Sequence, residues 1–397
     1  MPACFGTPVV TKAKVTTLLL VTLVAGSILA ATLRDDTEPG NPIAAPQAPS
    51  GAPASRQPLP PKAAPVPATC DGLVSSLTLR DRLAQLLVVG VDPSSAKDAV
   101  NIVRAHQVGG VFLGGNDTEL LQDNALAQVQ QVARIPVSVA IDEEGGRVQR
   151  IDELDGSVPS ARVLARTMSV EQVRELGRTR GRAMNVRGVT VDYGPDTDVS
   201  DQPDRSVIGD RSFSNDPEVV RNYAMAFAAG LEESGVQPVL KHFPGHGHAD
   251  GDSHKGLVKT PPLADLRKLD LVPYQRITEY GRAGVMVGHI QVPDLTGDAP
   301  ASLSPAAYQL LRKDYAFTGP IITDDLGAMK AVSDRYELPD AVLIALQAGA
   351  DQALWSSGDR VNEVLDKLEN AATTGKLPDT QVRESATRVL SAKKACG

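Results

Sequence analysis

The sequence is most distinctive at Lys241-His-Phe-Pro-Gly-His-Gly-His-Ala-Asp-Gly-Asp-Ser-His-Lys-Gly256, a segment that holds four of the six histidines of the chain. It follows the apolar run Pro238-Val-Leu240, which is typical of a β-strand. Because glycine and proline favour loops, the sequence predicts a strand that ends here and opens into a long polar loop. Binding and catalytic residues gather on such loops, since a rigid scaffold can aim them.

Within this segment, Asp252-Ser253-His254 has a spacing that suits acid–base chemistry. In extended chain, residues two apart point to the same side. The Asp252 carboxylate can therefore hold the His254 imidazole, fix its tautomer and stabilise its charged form. His254 is then a candidate general acid/base near neutral pH, where an unperturbed Asp or Glu holds no proton.

Two other interpretations of the clustered histidines stay open at this point. They could bind a metal ion, although no helical His-x-x-x-His pair is present and the three cysteines lie far away in the sequence. They could also be structural histidines at the rim of a barrel.

The composition of the 397-residue chain argues against some classes of function. The formal net charge of -8 and the lack of a basic stripe argue against a nucleic-acid partner. Aromatic residues make up 4% of the chain, which argues against broad sugar-stacking platforms. Three cysteines are too few for a disulfide scaffold.

The first 69 residues are not typical of a folded domain. Lys12 and Lys14 precede the uncharged run Val15–Leu33, so residues 1–36 are predicted to be a signal peptide or an N-terminal membrane anchor. Residues 37–69 hold ten prolines and are predicted to be a disordered Pro/Ala-rich linker. We therefore expect an exported protein, secreted or held in the cell envelope, that meets a membrane only through this segment.

Residues 70–397 alternate short apolar runs with longer amphipathic runs. Eight runs are strand candidates: Gln85–Val91, Gly109–Leu113, Pro136–Ile141, Val189–Tyr193, Val236–Leu240, Gly284–Val287, Gly319–Thr323 and Asp351–Leu354. They are rich in Val, Ile and Leu, as expected of parallel strands covered on both faces. Helical patterns lie between them, for example Leu120–Val132, Val170–Asn185, Pro217–Glu233, Leu263–Tyr280 and Tyr336–Ala348.

Eight alternating units predict an α/β fold, a (β/α)8 barrel of the TIM type. A doubly wound open sheet is the alternative, but no Gly-x-Gly-x-x-Gly follows the first strand. Cys70 and Cys396 lie at the two ends of this domain. Since the first and last elements of a barrel are neighbours, the two cysteines could form a disulfide in an oxidising compartment, and two free thiols are the alternative.

Charged and histidine residues follow five consecutive strands. The segments are Asp142-Glu-Glu-Gly-Gly-Arg-Val-Gln-Arg150, Asp196 with Asp198, Lys241-His242, Gly288-His289 and Asp324-Asp325. Active sites of barrels are built at the C-terminal ends of the strands. The sequence therefore predicts that these groups converge on one mouth.

These residues resemble glycoside hydrolase family 3, specifically its single-domain bacterial β-N-acetylglucosaminidases. The resemblance covers nearly all of residues 75–395. It is carried by the segments Asp142–Arg150, Lys241-His-Phe-Pro-Gly-His-Gly247, Asp252-Ser-His254 and Thr323-Asp-Asp-Leu326. Larger two-domain members of the family take their acid from a second domain, and we expect this chain to have a single catalytic domain.

The resemblance implies a role for each matching residue. Asp324 matches the catalytic nucleophile, His254 the general acid/base and Asp252 its partner. Sugar-binding positions are matched by Asp142, Arg150, Lys241 and His242, and by Arg211 in Gly209-Asp-Arg-Ser-Phe213. No metal or organic cofactor is implied.

One segment departs from the family pattern. Members usually read Ala-Pro-Val-Leu-Asp-Val after the fourth strand, whereas this chain reads Gly194-Pro-Asp-Thr-Asp-Val199. Asp198 therefore aligns with the family aspartate, and Asp196 is an additional acid.

The function implied is an exported, retaining exo-β-N-acetylglucosaminidase that removes terminal GlcNAc from peptidoglycan fragments through a glycosyl-aspartate intermediate. We expect GlcNAc-containing cell-wall saccharides as partners and a monomer. A phosphorylase is the first alternative, because a histidine acid/base avoids the repulsion that a glutamate presents to phosphate. A non-catalytic cell-wall-binding barrel is the second, although the intact set of Asp252, His254 and Asp324 argues against it.

Overall fold

The computed structural model describes residues 70–396. The predicted signal or anchor segment and the predicted linker, residues 1–69, lie outside the described residues. Within residues 70–396, no helix is long and apolar enough to cross a membrane.

Eight parallel strands close into a barrel in the order β1-β10-β9-β7-β5-β4-β3-β2. The ten strands are β1 Leu87–Val91, β2 Gly110–Leu113, β3 Ser138–Ile141, β4 Val191–Asp192, β5 Gln237–Phe243, β6 Val258–Lys259, β7 Gly284–Val287, β8 Ile290–Gln291, β9 Ile321–Asp325 and β10 Gln352–Trp355. The predicted (β/α)8 barrel is confirmed, and the open sheet is excluded by the closing pair β1–β10. Strands β6 and β8 form a separate two-stranded parallel sheet that the sequence did not predict.

Helices surround the barrel. The α-helices are α1 Cys70–Ser76, α2 Leu79–Ala84, α3 Ala96–His106, α4 Ala125–Val132, α5 Asp152–Asp155, α6 Ala161–Thr167, α7 Val170–Val186, α8 Pro217–Glu233, α9 Leu263–Leu266, α10 Pro305–Gln309, α11 Lys330–Ser333, α12 Leu338–Ala348, α13 Val361–Thr373 and α14 Asp379–Ala392. Four 3₁₀ helices span Glu119–Leu121, Gly209–Arg211, Pro273–Tyr280 and Ala301–Leu303, and a π-helix spans Leu310–Asp314.

Two of the predicted helices are interrupted. The pattern at Leu263–Tyr280 divides into α9 and a 3₁₀ helix that begins at Pro273, where proline removes a backbone donor. The pattern at Leu120–Val132 divides at Asp123 and Asn124, whose φ angles of 50° and 57° are left-handed. Apolar spacing alone does not reveal these breaks.

Helices α7 and α8 pack closely because glycines remove side chains from their contact. A Cβ on Gly177 would lie 2.5 Å from the Phe227 carbonyl oxygen, and one on Gly230 would lie 2.1 Å from the Arg174 carbonyl oxygen. Helix α8 begins at an N-cap, Asp216, whose carboxylate accepts backbone N–H groups of its first turn. This helix leads directly into β5, the strand that carries Lys241 and His242.

The interior of the barrel is packed with side chains. They are Val88, Phe112, Ala140, Val191, Tyr193, Val239, Met286, Ile322 and Leu354. Phe112 and Tyr193 stack with their ring centres 5.5 Å apart. Because this layer is apolar and filled, it fixes the strands and closes the floor of any cavity above it.

The structure contains the predicted disulfide between Cys70 and Cys396, whose Cα atoms lie 5.1 Å apart. It ties α1 to the segment that follows α14 across a sequence separation of 326 residues. A cross-link over so long a loop removes many conformations from the unfolded chain.

We therefore expect the double variant Cys70→Ser/Cys396→Ser to lose about 2–4 kcal/mol of unfolding free energy. Urea unfolding without reductant measures this loss, and reduced wild-type protein should unfold like the variant. The circular dichroism spectrum of the folded variant at 25 °C should match that of the wild type, because the bridge connects only α1 and the segment that follows α14. Equal stability of oxidised and reduced wild-type protein would contradict this account.

Candidate active site

A cavity of about 420 Å³ opens where the C-terminal ends of the strands meet. Seven of the eight predicted site residues line it: Asp142, Arg150, Arg211, Lys241, His242, His254 and Asp324. The eighth, Asp252, hydrogen-bonds His254. The structure thus brings together every site residue that the sequence predicted.

The three acidic residues after β3 make three different sets of contacts. Asp142 accepts a 2.6 Å hydrogen bond from Lys241 Nζ and lies 3.6 Å from Arg150 Nη2. Glu143 is buried, pairs with Arg180 and accepts the backbone N–H of Arg150 at 2.7 Å, which fixes the loop. The side chain of Glu144 forms part of the cavity wall.

Glu144 joins two cations that come from other elements. Its carboxylate accepts two parallel hydrogen bonds from Arg211, each 2.8 Å, and lies 2.5 Å from Lys241 Nζ. Burial alone would raise the pKa of Glu144, but Arg211 and Lys241 hold it well below its ordinary value. Burial alone would lower the pKa of Lys241, and Asp142 and Glu144 raise it above its ordinary value. Glu144, Arg211 and Lys241 are therefore all charged at neutral pH.

His242 is held neutral on the same wall. Burial and the nearby Arg211 lower its pKa to about 4. Its Nδ1 lies 2.7 Å from Asp198 Oδ2, so the Nδ1–H tautomer donates to that carboxylate. The lone pair of Nε2 then faces Arg211 Nη2 at 3.5 Å.

Asp196, the additional acid, lies buried behind this wall. Its Oδ1 accepts the N–H of Asp198 at 2.8 Å, and its Oδ2 lies 3.5 Å from Arg211 Nη2. Burial and the neighbouring Asp198 raise the pKa of Asp196 to about 8, so it is mainly protonated at neutral pH.

Asp196, Asp198 and His242 also have ligand atoms within 4.8 Å of one another, the one group among residues 70–396 close enough to hold a metal ion. The Arg211 guanidinium lies 3.5 Å from both His242 Nε2 and Asp196 Oδ2. A cation there would face a fixed positive charge, and we assign no metal to it.

The adjacent carboxylates of Asp324 and Asp325 differ in their contacts. Asp325 Oδ1 accepts the N–H groups of Gly327 and Ala328 at 2.8 and 3.0 Å, so this side chain holds the turn after β9. Asp324 accepts the N–H of Asp325 at 2.8 Å and faces the cavity. Burial alone would raise the pKa of Asp324, but His289, His242 and this N–H lower it. Asp324 is therefore an ionised carboxylate.

His289 fixes the backbone beside Asp324. This fully buried side chain lies with Nε2 2.8 Å from the Asp325 carbonyl oxygen, to which it donates, and with Nδ1 2.6 Å from Ser302 Oγ. His289 thus connects the end of β9 to Ser302.

His254 sits on the loop that leaves β5, with its side chain 61% exposed. Its Nδ1 lies 2.8 Å from Asp252 Oδ1, which also accepts the backbone N–H of His254 at 3.1 Å. Burial alone would raise the pKa of Asp252, but its hydrogen bonds to His254 lower it. The predicted Asp252–His254 pair is present. The contact uses Nδ1 of the imidazole, so Nε2 can contact a molecule in the cavity.

The tip of this loop is fastened by other groups. The buried Ser253 hydroxyl lies 3.0 Å from His246 Nε2, and the backbone N–H of His246 donates to Asp198 Oδ1 at 2.6 Å. Two N–H groups of α11, those of Lys330 and Ala331, donate to the carbonyls of residues 254 and 253. The loop is thus tied both to the wall behind His242 and to the segment after Asp324.

His248 holds the base of the same loop. Its Nδ1 lies 2.9 Å from Asp270 Oδ1, and this hydrogen bond raises the pKa of His248. The structural interpretation of the clustered histidines therefore applies to His246 and His248, and not to His242 or His254.

The sequence of the barrel domain matches a known protein family. Residues 78–392 match the family model described as the glycosyl hydrolase family 3 N terminal domain. The chain belongs to this family. The predicted family and the prediction of a glycoside hydrolase are confirmed.

Relatives in family 3 match most of the chain. It is 51% identical over 346 residues to the beta-hexosaminidase LpqI of Mycobacterium tuberculosis (strain ATCC 25618 / H37Rv), covering 85% of this chain and 89% of that protein. The solved structure of M. tuberculosis LpqI has a TM-score of 0.80 at 52% identity and covers 83% of this chain and 98% of that one. A family 3 beta-N-acetylglucosaminidase from Paenibacillus sp. str. FPU-7 has a TM-score of 0.76 at 29% identity, covering 81% and 63%.

Two contributors to the site were not predicted. Glu144 lies two positions beyond Asp142, and in extended chain it points to the same side. His289 follows the sixth strand candidate, but its contact with the Asp325 carbonyl depends on tertiary structure. No sequence signal connects either residue to its partners.

We expect Glu144→Gln to lower the unfolding free energy by about 3–5 kcal/mol, because it leaves Arg211 and Lys241 buried without their shared carboxylate. The matched control is Glu233→Gln, which removes a carboxylate that also bridges two cations, Arg174 and Arg178, at the surface. This control should change stability little, since exposed ion pairs are screened by water. Urea unfolding of both variants measures the difference, and equal losses would contradict the role of Glu144.

Proposed function

We propose that the protein is a retaining exo-β-N-acetylglucosaminidase that releases terminal GlcNAc from peptidoglycan fragments. The observation that carries the proposal is the placement of an ionised Asp324 and an Asp252-held His254 on one cavity. The names of the relatives, beta-hexosaminidase and beta-N-acetylglucosaminidase, support the substrate class.

In the first step, an Asp324 carboxylate oxygen attacks the anomeric carbon and the bond from that carbon to the leaving oxygen breaks. His254 gives its Nε2 proton to the leaving oxygen. Because Nδ1 is engaged by Asp252, the carboxylate stabilises the charged imidazole and leaves Nε2 to carry the transferred proton. The product of this step is a glycosyl ester on Asp324 and a free alcohol.

In the second step, water attacks the same carbon and the ester bond to Asp324 breaks. His254, now neutral, takes the proton of the attacking water. Two inversions at one carbon retain the configuration. The loop position of His254 suits both steps, since an exposed imidazole can meet first the leaving alcohol and then water.

Hydrogen-bond capacity remains on the wall to hold the sugar. Lys241 has three N–H donors, of which Asp142 and Glu144 take two. Arg211 has five, of which Glu144 takes two, the Val207 carbonyl one and His242 Nε2 one. Arg150 adds a further cation at the opening. These fixed donors suit hydroxyls and the acetamide of GlcNAc.

The closed floor of the cavity supports exo action. Phe112, Tyr193, Met286 and Leu354 line the cavity and belong to the packed interior of the barrel. A saccharide that enters end-on meets this packed layer, which fits the release of a terminal sugar. An apolar floor also suits the faces of a sugar ring.

Export to the cell envelope is part of the proposal. The Cys70–Cys396 disulfide is the type of bond that persists in an oxidising compartment. The apolar run Val15–Leu33 is typical of a signal peptide or anchor. Both features fit an enzyme that meets cell-wall saccharides outside the cytoplasm.

The division of labour between Asp324 and His254 predicts different variant kinetics. Asp324→Ala should abolish turnover of every glycoside, because the nucleophile acts in both steps. His254→Ala should slow a disaccharide by about 10²–10⁴-fold, since a sugar alkoxide cannot leave without a proton. Its first step should be less impaired with an aryl glycoside whose phenol is acidic. Pre-steady-state release of the phenol measures this, and equal slowing of both substrates would contradict the acid/base role.

Product analysis separates the proposal from its alternatives. With GlcNAc-anhydro-N-acetylmuramic acid, we expect free GlcNAc at a rate independent of added inorganic phosphate, and faster cleavage than with chitobiose. GlcNAc 1-phosphate as the main product would identify a phosphorylase. No cleavage of either disaccharide or of an aryl GlcNAc glycoside would identify a binding barrel.

A further inference from the structure

Two cavities open at the opposite end of the barrel, where the strands begin. The inner cavity has a volume of about 20 Å³, and the outer cavity about 310 Å³. They share five lining residues, Ser138, Val191, Gln237, Ala392 and Lys393, of which Ser138 and Gln237 begin strands β3 and β5. The catalytic mechanism uses none of these residues.

Lys393, the residue after α14, lines both cavities and places its side-chain amine where they meet. Its amine donates to Gln85 Oε1 at 2.9 Å. It forms no ion pair with any carboxylate of the residues that the structure describes. An ammonium has three donors, so this contact leaves two of them unused. Burial lowers the pKa of Lys393 to about 7, as expected of a cation without a counter-charge.

Other hydrogen-bond donors surround the same space. The amide Nε2 of Gln352, a residue that lines the inner cavity, is buried and has no partner among the described residues. The outer cavity is lined by Arg282 and Lys394 in addition to Lys393. Arg282 Nε donates to Glu232 Oε1 at 2.8 Å, and its two Nη groups have no partner among the described residues. Of the described residues that line either cavity, none is acidic. The space therefore offers hydrogen-bond donors from Lys393, Lys394, Gln352 and the Nη groups of Arg282, and the one carboxylate of the described residues that pairs with these groups is Glu232, on Arg282.

The inner cavity has room for one water molecule, since a cavity must have a volume of about 10–15 Å³ to hold one. Water would not balance the charges of Lys393 and Lys394 at the outer cavity, which is large enough for a polyatomic ion. A small oxyanion has several acceptor oxygens and a negative charge, and so complements these donors.

We propose that the N-terminal mouth of the barrel is an oxyanion-binding site, centred on Lys393 and completed by Arg282 and Lys394, for a tetrahedral ion such as sulfate or phosphate. The site is independent of the glycosidase function. In barrel enzymes the C-terminal ends of the strands carry the active site, and the N-terminal ends contribute to stability. The proposed site lies at the N-terminal ends and connects the last helix to the starts of the strands.

Sulfate is the probe, because its charge does not change between pH 6 and 9. Calorimetric titration of the full-length protein at pH 6.0, with chloride adjusting the ionic strength, should show saturable binding to one site. Saturating GlcNAc should not displace the ion, which separates this site from the cationic catalytic wall. Binding should weaken about tenfold or more at pH 8.5, since an amine of pKa about 7 is mostly neutral there.

Lys393→Gln should weaken sulfate binding at pH 6.0 by about tenfold or more, because it removes the central charge. The matched control, Lys97→Gln, changes an exposed lysine on α3 that lines neither cavity and should bind like wild type. If Lys393→Gln does not fold, Lys394→Gln, which removes a lining cation without breaking an ion pair, should weaken binding and decides together with the wild-type pH dependence. The proposal is overturned by absent or non-saturable binding, by displacement with GlcNAc, or by equal affinity at the two pH values.

Discussion

The catalytic mouth depends on the buried ion pairs of Glu144 with Arg211 and Lys241. These groups come from the loop after β3, a 3₁₀ helix and strand β5. A charge buried without its partner costs several kcal/mol, so each element is held where its partner requires it. The same pairs fix the positions of Arg211 and Lys241 in the cavity wall, where we propose that they bind the sugar. Binding geometry and local stability therefore rest on one carboxylate.

The two residues that we propose to react with the substrate are supported in two different ways. Asp324 is on a strand end whose backbone is held by His289 and whose turn is held by Asp325. His254 is exposed on a loop, but Ser253 connects that loop through His246 to Asp198, which also holds His242. His242 and the loop that carries His254 thus share one buried aspartate. If His242 binds the sugar as we propose, that contact is physically connected to the position of His254 through Asp198.

Much of this arrangement could be predicted from the sequence because it follows from local rules. Parallel strands have apolar runs, and residues after them must converge at one end of a closed barrel, which is why Asp142, Lys241 and Asp324 could be placed together. The asymmetry of Asp324 and Asp325 could not be read from chain spacing, since it depends on which carboxylate the following turn uses. The partners of Glu144 are 67 and 97 positions away, and only the folded chain brings them together. Asp196 illustrates the same limit, because its raised pKa comes from burial beside Asp198.

The central claim is that Asp324 forms a glycosyl ester which His254 helps to make and to hydrolyse. The most direct measurement is peptide mapping by mass spectrometry of His254→Ala after incubation with an activated aryl β-GlcNAc glycoside. The variant should accumulate one covalently bound GlcNAc per chain, and fragmentation should place it on Asp324 and not on Asp325. A GlcNAc ester on another carboxylate, or continued turnover of the aryl glycoside by Asp324→Ala, would contradict the account.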